Sequence, residues 1–196
     1  MAERTRYSVS NIDISRVSSA SEYAGFSCGN KELDNFFHQD AIKCVLNKFI
    51  SLYKATDVTT GRVVALFSLA NDSVFTTNKK DKQDFIDESM PQFDASYYAI
   101  LERQASFPAI NIAHLGVDSK VQSKGIGTFL INYIQDTFVN YPVAGCQFIT
   151  VDALNTPDVN KFYDRVGFVY LTDSDSTKQT RRMFMPLHFY QDIKHK

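Results

Sequence analysis

The sequence predicts an α/β fold in a single domain, and three observations carry that prediction. The apolar segment Ile110 to Val117 runs into a glycine-bearing loop, Gln122-Ser123-Lys124-Gly125-Ile126-Gly127-Thr128, and then into an amphipathic helical segment that begins near Gly125. A continuous apolar-rich run, Cys146 to Asp152, reads as a central buried strand and leads to a helix framed by Pro157 and Gly167. The chain has 196 residues, 44% of them hydrophobic, which suffices for one well-buried core and is short for two. Neither an internal repeat nor a linker interrupts it, so residues 1–196 are read together.

In chain order, Tyr7 to Ile14 alternates loosely and reads as a first strand. Asn30 suits a helix N-cap, and Leu33, Phe36, Phe37, Ala41, Cys44 and Val45 then recur at helical spacing. Phe49 to Thr56 and Arg62 to Val74 are strand-like, and Asp57 to Gly61 between them supplies the turn of a hairpin. Asn78 to Ser96 is polar, with Lys79, Lys80, Asp81, Lys82 and Asp84 close together, and reads as a charged, solvated insert. Phe107-Pro108 introduces the strand Ile110 to Val117. Ile126, Leu130, Ile134 and Phe138 form one stripe of the next helix, widened by Phe129, Ile131 and Tyr133. Val159, Phe162, Tyr163 and Val166 line one side of the helix that starts at Pro157, and Gly167 is its natural stop. Phe168 to Leu171 and Arg181 to Leu187 read as the last strands.

A strand, a short glycine-bearing loop and a helix start together make an anion site. The first N–H groups of a helix have no intrahelical partner, and the helix dipole places partial positive charge there. Glycine removes the Cβ that keeps a phosphate from that backbone. A Walker loop is excluded because Lys124 precedes Gly125 instead of following a glycine, and a dinucleotide fingerprint because Leu130 stands at the third glycine position. A tight turn with no ligand is the competing reading of Gly125-Ile126-Gly127 alone.

The net charge of −1 and pI near 6.4 give no global attraction to nucleic acid, so any such binding needs a local basic patch. Cys28, Cys44 and Cys146 are widely spaced, which fits neither a disulfide framework nor a metal site. Met1 to Ser10 is polar without an apolar signal core, and no apolar run approaches the ~20 residues of a membrane span. The expected location is the cytoplasm, with no membrane association.

The loop, the buried strand, and Asn155 followed by Asn160-Lys161-Phe162-Tyr163-Asp164-Arg165-Val166-Gly167-Phe168 occur in a fixed order. This order resembles the GNAT superfamily of acetyl-CoA-dependent N-acetyltransferases. The Gln/Arg-x-x-Gly-x-Gly/Ala motif matches Gln122 to Gly127, and the distal Asn…Phe-Tyr-x-x-x-Gly-Phe motif matches Asn155 to Phe168. Phe26-Ser27-Cys28-Gly29-Asn30-Lys31-Glu32-Leu33-Asp34 is similar to the start of the first helix in the branch of toxin–antitoxin acetyltransferases, which acetylate aminoacyl-tRNA. The insert at 78–96 is longer than in the compact toxins.

The resemblance implies a mixed, mostly antiparallel central sheet, split near its middle and flanked by helices, with acetyl-CoA in the split. It implies that backbone N–H groups of Gln122, Ser123, Lys124, Gly125, Ile126, Gly127 and Thr128 hold the coenzyme A pyrophosphate; Lys124 would add a charge contact, its alternative being a solvent-exposed lysine near the loop. Amides of Leu115, Gly116 and Val117 would bind the pantetheine and polarise the thioester carbonyl. Asn155 would hydrogen-bond the pantetheine arm, its alternative being a loop or N-cap asparagine before Pro157. Tyr163 is the expected acid that protonates the departing thiolate, since a phenol keeps its proton at neutral pH. Its alternative is a packing residue beside Phe162.

A general base is not evident. Histone-acetylating members use a glutamate on the pre-loop strand; the matching Asn111 accepts no proton, and His114 on that strand reads as a structural histidine. The partners implied are an amine acceptor (aminoacyl-tRNA, a protein amine or a small molecule), an antitoxin protein and a second copy of the chain. Lys43, Lys48, Arg181 and Arg182 are the basic candidates for an RNA contact. A fold that only binds acyl-CoA without turnover is the non-enzymatic alternative.

Overall fold

A computed structural model gives the fold over residues 9–75, 82, 85, 99–100, 102–141 and 143–187. The strands are β1 (Ile12–Arg16), β2 (Ser51–Asp57), β3 (Arg62–Phe75), β4 (Ser106–Val117), β5 (Phe148–Leu154), β6 (Val169–Tyr170) and β7 (Thr180–Pro186). They form one seven-stranded sheet in the order β1-β2-β3-β4-β5-β7-β6. The pairs β1/β2, β2/β3, β5/β7 and β6/β7 are antiparallel. The flanking helices are α1 (Lys31–Asn35), α2 (Ala41–Leu46), α3 (Ile126–Val139) and α4 (Pro157–Arg165). The expected mixed, mostly antiparallel sheet flanked by helices is therefore present.

Backbone contacts gather the chain into two compact units, Met1–Ala70 with Ile112–Ile134, and Asn71–Asn111 with Gln135–Lys196. In the first, Asp57 builds the hairpin turn. Its Oδ1 accepts the Thr59 N–H at 2.8 Å, its carbonyl accepts the Gly61 N–H at 2.7 Å, and Gly61 sits at φ +67°. The Val58 N–H donates to the Asn11 carbonyl, and pairing begins at Ile12 opposite Asp57. The hairpin turn thus fixes where β1 starts. Val9–Asn11 is a 3₁₀ turn instead of the expected strand, and Tyr7 lies outside the described residues.

The helical periodicity after Asn30 is also resolved differently. Asn30 caps α1 as expected, its side chain accepting the Leu33 N–H at 3.0 Å. Between α1 and α2, however, Phe36–Asp40 forms a π-helical turn in which the Ala41 N–H reaches the Phe36 carbonyl. The wider turn lets consecutive phenylalanines both pack inward. Phe37 and Ala41 are buried with Val17, Tyr23, Phe26, Cys28, Leu52 and Leu66, and Leu33, Phe36, Ile42 and Val45 pack around them.

The second unit is built on Val74, Phe85, Phe107, Ala109, Phe148 and Phe184. The Phe85 ring stands 5.0–5.3 Å from those of Phe107, Phe148 and Phe184. One residue of the charged insert is thus a core anchor, while most of that segment lies outside the described residues. β4 begins at Ser106 and takes in Phe107-Pro108; the exposed Pro108 lacks an N–H but its carbonyl accepts from the Gln147 N–H at 2.8 Å. Gly167 stops α4 at φ +95°, and the Phe168 N–H returns to the Tyr163 carbonyl at 3.0 Å. That turn holds Phe168, so β6 is shorter than Phe168 to Leu171.

Candidate functional site

In the first unit, β4 ends at Val117 and Asp118 turns the chain. The buried Asp118 accepts the Lys120 N–H on Oδ1 at 2.8 Å, and its own N–H donates to the Val64 carbonyl at 2.9 Å. The Gln122 amide then braces the loop, donating to the Val117 carbonyl at 3.0 Å and the Cys28 carbonyl at 2.8 Å. Ser123 and Gly125 both occupy left-handed backbone, at φ +61° and +89°. For Ser123 that conformation costs on the order of 1 kcal/mol. Nothing lies within 4 Å of where a Gly125 Cβ would be, so the backbone here is open to approach.

The Phe129 N–H makes the first helical bond, to the Gly125 carbonyl at 3.0 Å. The amides of Ile126, Gly127 and Thr128 precede it and stand at the positive end of α3. Left-handed turns next to a helix start aim successive N–H groups at one point, which is the geometry an anion requires. The loop residues named from the sequence, Gln122 to Thr128, thus run without interruption from the end of the β4 turn into the first turn of α3. The Gln122 side chain is the strut of this loop.

A second turn is bound to this loop. Asp34 accepts from Ser27 Oγ at 2.7 Å, from the Cys28 N–H at 2.8 Å and from the Gly29 N–H at 3.2 Å. Burial raises its pKa, but the bonds from Ser27, Cys28 and Gly29 together outweigh burial and hold it below the ordinary carboxylate value. The Ser119 N–H donates to the Ser27 carbonyl at 3.0 Å. With Gln122 on Cys28, two side-by-side bonds tie the Ser27–Asn30 turn to the loop. Burial pushes the Cys28 thiol up to about 11, which makes it inert.

On β4, Gly116 has a packing reason. A Cβ there would lie 3.1 Å from Phe37 Cε2 and 3.2 Å from Cys28 Cβ. Leu115 and Val117 beside it are half-buried. His114 stacks flat on Phe36, with ring centroids 3.4 Å apart, and its Nδ1 shares a hydrogen bond with the buried Ser68 Oγ at 3.0 Å. Burial lowers its pKa from 6.5 to about 4. The folded state thus disfavours a proton that the unfolded chain binds from pH 6.5 downward. Stability contributed by neutral His114 is present above pH 6.5 and is lost as pH falls toward 4. Denaturant unfolding at pH 7 and pH 5 should show a smaller acid loss in His114→Gln than in the parent chain; equal losses would remove His114 from the acid response.

In the second unit, Tyr163 lies on α4 at 6% exposure. Its ring meets Phe162 and Phe168 edge-on, at 5.0 and 5.2 Å. Among the described residues its hydroxyl has no hydrogen-bond partner. Burial raises its pKa above the ordinary tyrosine value, so it holds its proton throughout the physiological range. Asn155 has a structural role that the sequence concealed. Its amide donates to the carbonyls of Ser176 and Lys178, both at 2.9 Å, and its Oδ1 accepts from Asn160 Nδ2 at 2.9 Å. The side chain latches the end of β5 to the 173–179 loop, and the helix cap is Thr156.

The basic candidates divide. Arg181 is held by Asp175 at 3.3 Å and lies 3.5 Å over the Tyr170 ring, and Arg182 reaches Asp152 at 2.6 Å and also Asp72. Lys43 and Lys48 are exposed, with Asp40 3.0 Å from Lys43. Among the described residues no group of His, Cys, Asp and Glu could hold a metal ion, and no helix is long and apolar enough to cross a membrane.

Residues 94–187 match the family model described as acetyltransferase (GNAT) domain. That segment, just under half of the chain, is similar to the GNAT acetyltransferase domain. No curated protein matches the chain in sequence. Solved structures share the fold of this chain at low identity. A point mutant of KacT is 18% identical, with a TM-score of 0.70 over 93% of this chain and 99% of its own. AtaTR bound with acetyl-CoA is 17% identical, with a TM-score of 0.66 over 94% and 99%. AtaT complexed with acetyl-methionyl-tRNAfMet is 16% identical, with a TM-score of 0.68 over 93% and 98%. The fold of the chain is thus similar to these proteins along nearly its whole length, beyond the matched domain. Sequence reasoning named the loop but missed the Asp34 turn that carries it, because Ser27 and Asp34 look like ordinary helix-start residues until Ser119 and Gln122 are placed beside them.

Proposed function

We propose that this protein is a GNAT acetyltransferase that transfers the acetyl group of acetyl-CoA to the amino group of an aminoacyl-tRNA, as the toxin of a toxin–antitoxin pair. The single observation that carries this reading is the fold shared with AtaT, solved with acetyl-methionyl-tRNAfMet, across 93% of this chain and 98% of that one. The resemblance of Phe26 to Asp34 to the toxin branch supports it, as does the way that segment is bonded to the loop.

Acetyl-CoA supplies the activated acetyl group. The cradle of Gln122 to Thr128 binds its pyrophosphate through backbone N–H groups, with Lys124 adjacent. Amides of Leu115 to Val117 serve the pantetheine and the thioester oxygen. Asn155 contributes to the pantetheine arm through its backbone carbonyl, its side-chain amide hydrogens and its own N–H being engaged by the carbonyls of Ser176, Lys178 and Gln179. Tyr163 protonates the leaving thiolate. An aminoacyl ester has an amine of low pKa, so such an acceptor makes a strong base unnecessary. A ribbon–helix–helix antitoxin is the expected protein partner, and a cytoplasmic location follows from the tRNA acceptor.

Induced expression in bacteria should arrest growth and leave acetylated aminoacyl-tRNA, detected by mass spectrometry of the nuclease-released adducts. Normal growth without adducts, alongside acetylation of other amines by the purified protein, would assign a small-molecule or protein acceptor instead.

A further inference from the structure

Four strands of the second unit contribute polar side chains to one network: Asp72 from β3, Asn111 from β4, Thr150 and Asp152 from β5, and Arg182 from β7. Arg182 Nη1 donates to Asp152 Oδ2 at 2.6 Å, and its Nη2 donates to Asp72 Oδ2. Thr150 is fully buried; its hydroxyl donates to the same Asp72 oxygen and accepts from Asn111 Nδ2 at 3.1 Å. Two donors thus converge on Oδ2. Among the described residues nothing donates to Asp72 Oδ1. The Asp72 side chain as a whole keeps 21% of its exposure.

Stability does not account for this arrangement. Half-buried ion pairs add little over apolar residues of similar volume. Two carboxylates on one guanidinium also leave one negative charge unbalanced. A carboxylate fixed on one oxygen and open on the other is built to receive a cationic N–H donor. Asn111 itself accepts no proton, but its amide orients Thr150, and Thr150 with Arg182 fixes Asp72.

We infer that Asp72 is a catalytic residue whose Oδ1 binds the ammonium of the acceptor and takes its first proton. This rests on the reading of the protein as an amine acetyltransferase. The acceptor enters as R–NH3+. One proton passes to Asp72 and on to solvent. The freed lone pair forms the C–N bond to the thioester carbonyl carbon, and the C–S bond breaks. A second proton ends on the coenzyme A sulfur and the third stays on the amide.

The test compares Asp72→Asn with the parent chain, using charged bulk tRNA and methionine ethyl ester as acceptors. The asparagine keeps an oxygen for Arg182 and Thr150 and puts an N–H2 group where the ammonium would bind. At pH 6.5, kcat/KM should fall by about 10²–10⁴-fold. The deficit should shrink as pH rises and the amine loses its proton unaided. The ester should also bind more weakly in the absence of acetyl-CoA, read by NMR line broadening, while acetyl-CoA affinity stays the same. Asp173→Asn, at the fully exposed partner of Arg181, should match the parent. A deficit equal at every pH with unchanged ester binding would mark Asp72 as structural only and overturn the assignment, as would full activity at pH 6.5. If the parent binds acetyl-CoA but turns over neither acceptor, the aminoacyl-tRNA reading fails, and the role of Asp72 toward such an ammonium with it.

Discussion

Tyr163→Phe should keep acetyl-CoA affinity and lose turnover by about 10²–10⁴-fold. The ring would stay wedged between Phe162 and Phe168, at the 5.0 and 5.2 Å spacings that hold it in α4, because phenylalanine preserves the edge-on contacts. Only the hydroxyl is removed. That hydroxyl makes no hydrogen bond among the described residues, so its loss leaves no donor or acceptor of the protein stranded. The stability change should therefore stay within about 1 kcal/mol. Those two readouts separate the roles. Turnover that survives the substitution makes Tyr163 a packing residue of the aromatic cluster. Turnover that collapses with intact melting and intact affinity makes it the acid.

Gly125→Glu should abolish measurable acetyl-CoA binding in titration calorimetry while the protein remains folded. Two effects add. Any side chain at φ +89° costs about 1–2 kcal/mol, because its Cβ crowds the following carbonyl. The loop would relax toward a right-handed turn and the amides at the start of α3 would no longer converge. The glutamate also brings a negative charge to the loop that is proposed to receive the pyrophosphate. Because no atom lies within 4 Å of the new Cβ, the folded chain has room for it. A substitution that spares the fold but leaves affinity unchanged would remove the loop from the cofactor site. Gly125→Ala supplies the strain without the charge and should give an intermediate loss.

What the sequence disclosed is local chemistry. Asn30 as a cap, Asp57 to Gly61 as a turn, Gly125 at a helix start and Gly167 at a helix stop each depend on neighbours within a few residues, and each stands where the pattern places it. What it concealed depends on residues far apart in the chain. The reason for Gly116 is Phe37 and Cys28, on a helix and a turn whose approach no pattern announces. The bonds of Asn155 to the carbonyls of Ser176 and Lys178, 21 and 23 residues away, leave no trace in the pattern that marks it as a pantetheine ligand. Asp72 carries no mark within the strand-like run Arg62 to Val74, because its partners Thr150 and Arg182 are 78 and 110 residues away. The π-helical turn was hidden for another reason: Leu33 to Val45 satisfies an α-helical period well enough that one added residue leaves no visible fault.

The bonds from Ser119 to Ser27 and from Gln122 to Cys28 carry a consequence for linked equilibria. They close a loop at one end of β4 onto the turn that starts α1, so neither can shift without the other's hydrogen bonds changing. Whatever free energy an anion contributes by ordering Ser123 to Thr128 also opposes displacement of Ser27 to Asn30. By reciprocity, a partner that displaced that turn would weaken the anion by the same factor. The amides of Cys28 and Gly29, clasped by Asp34, would then serve as reporters: their hydrogen exchange would slow when the distant phosphate site fills, with no ligand atom near them.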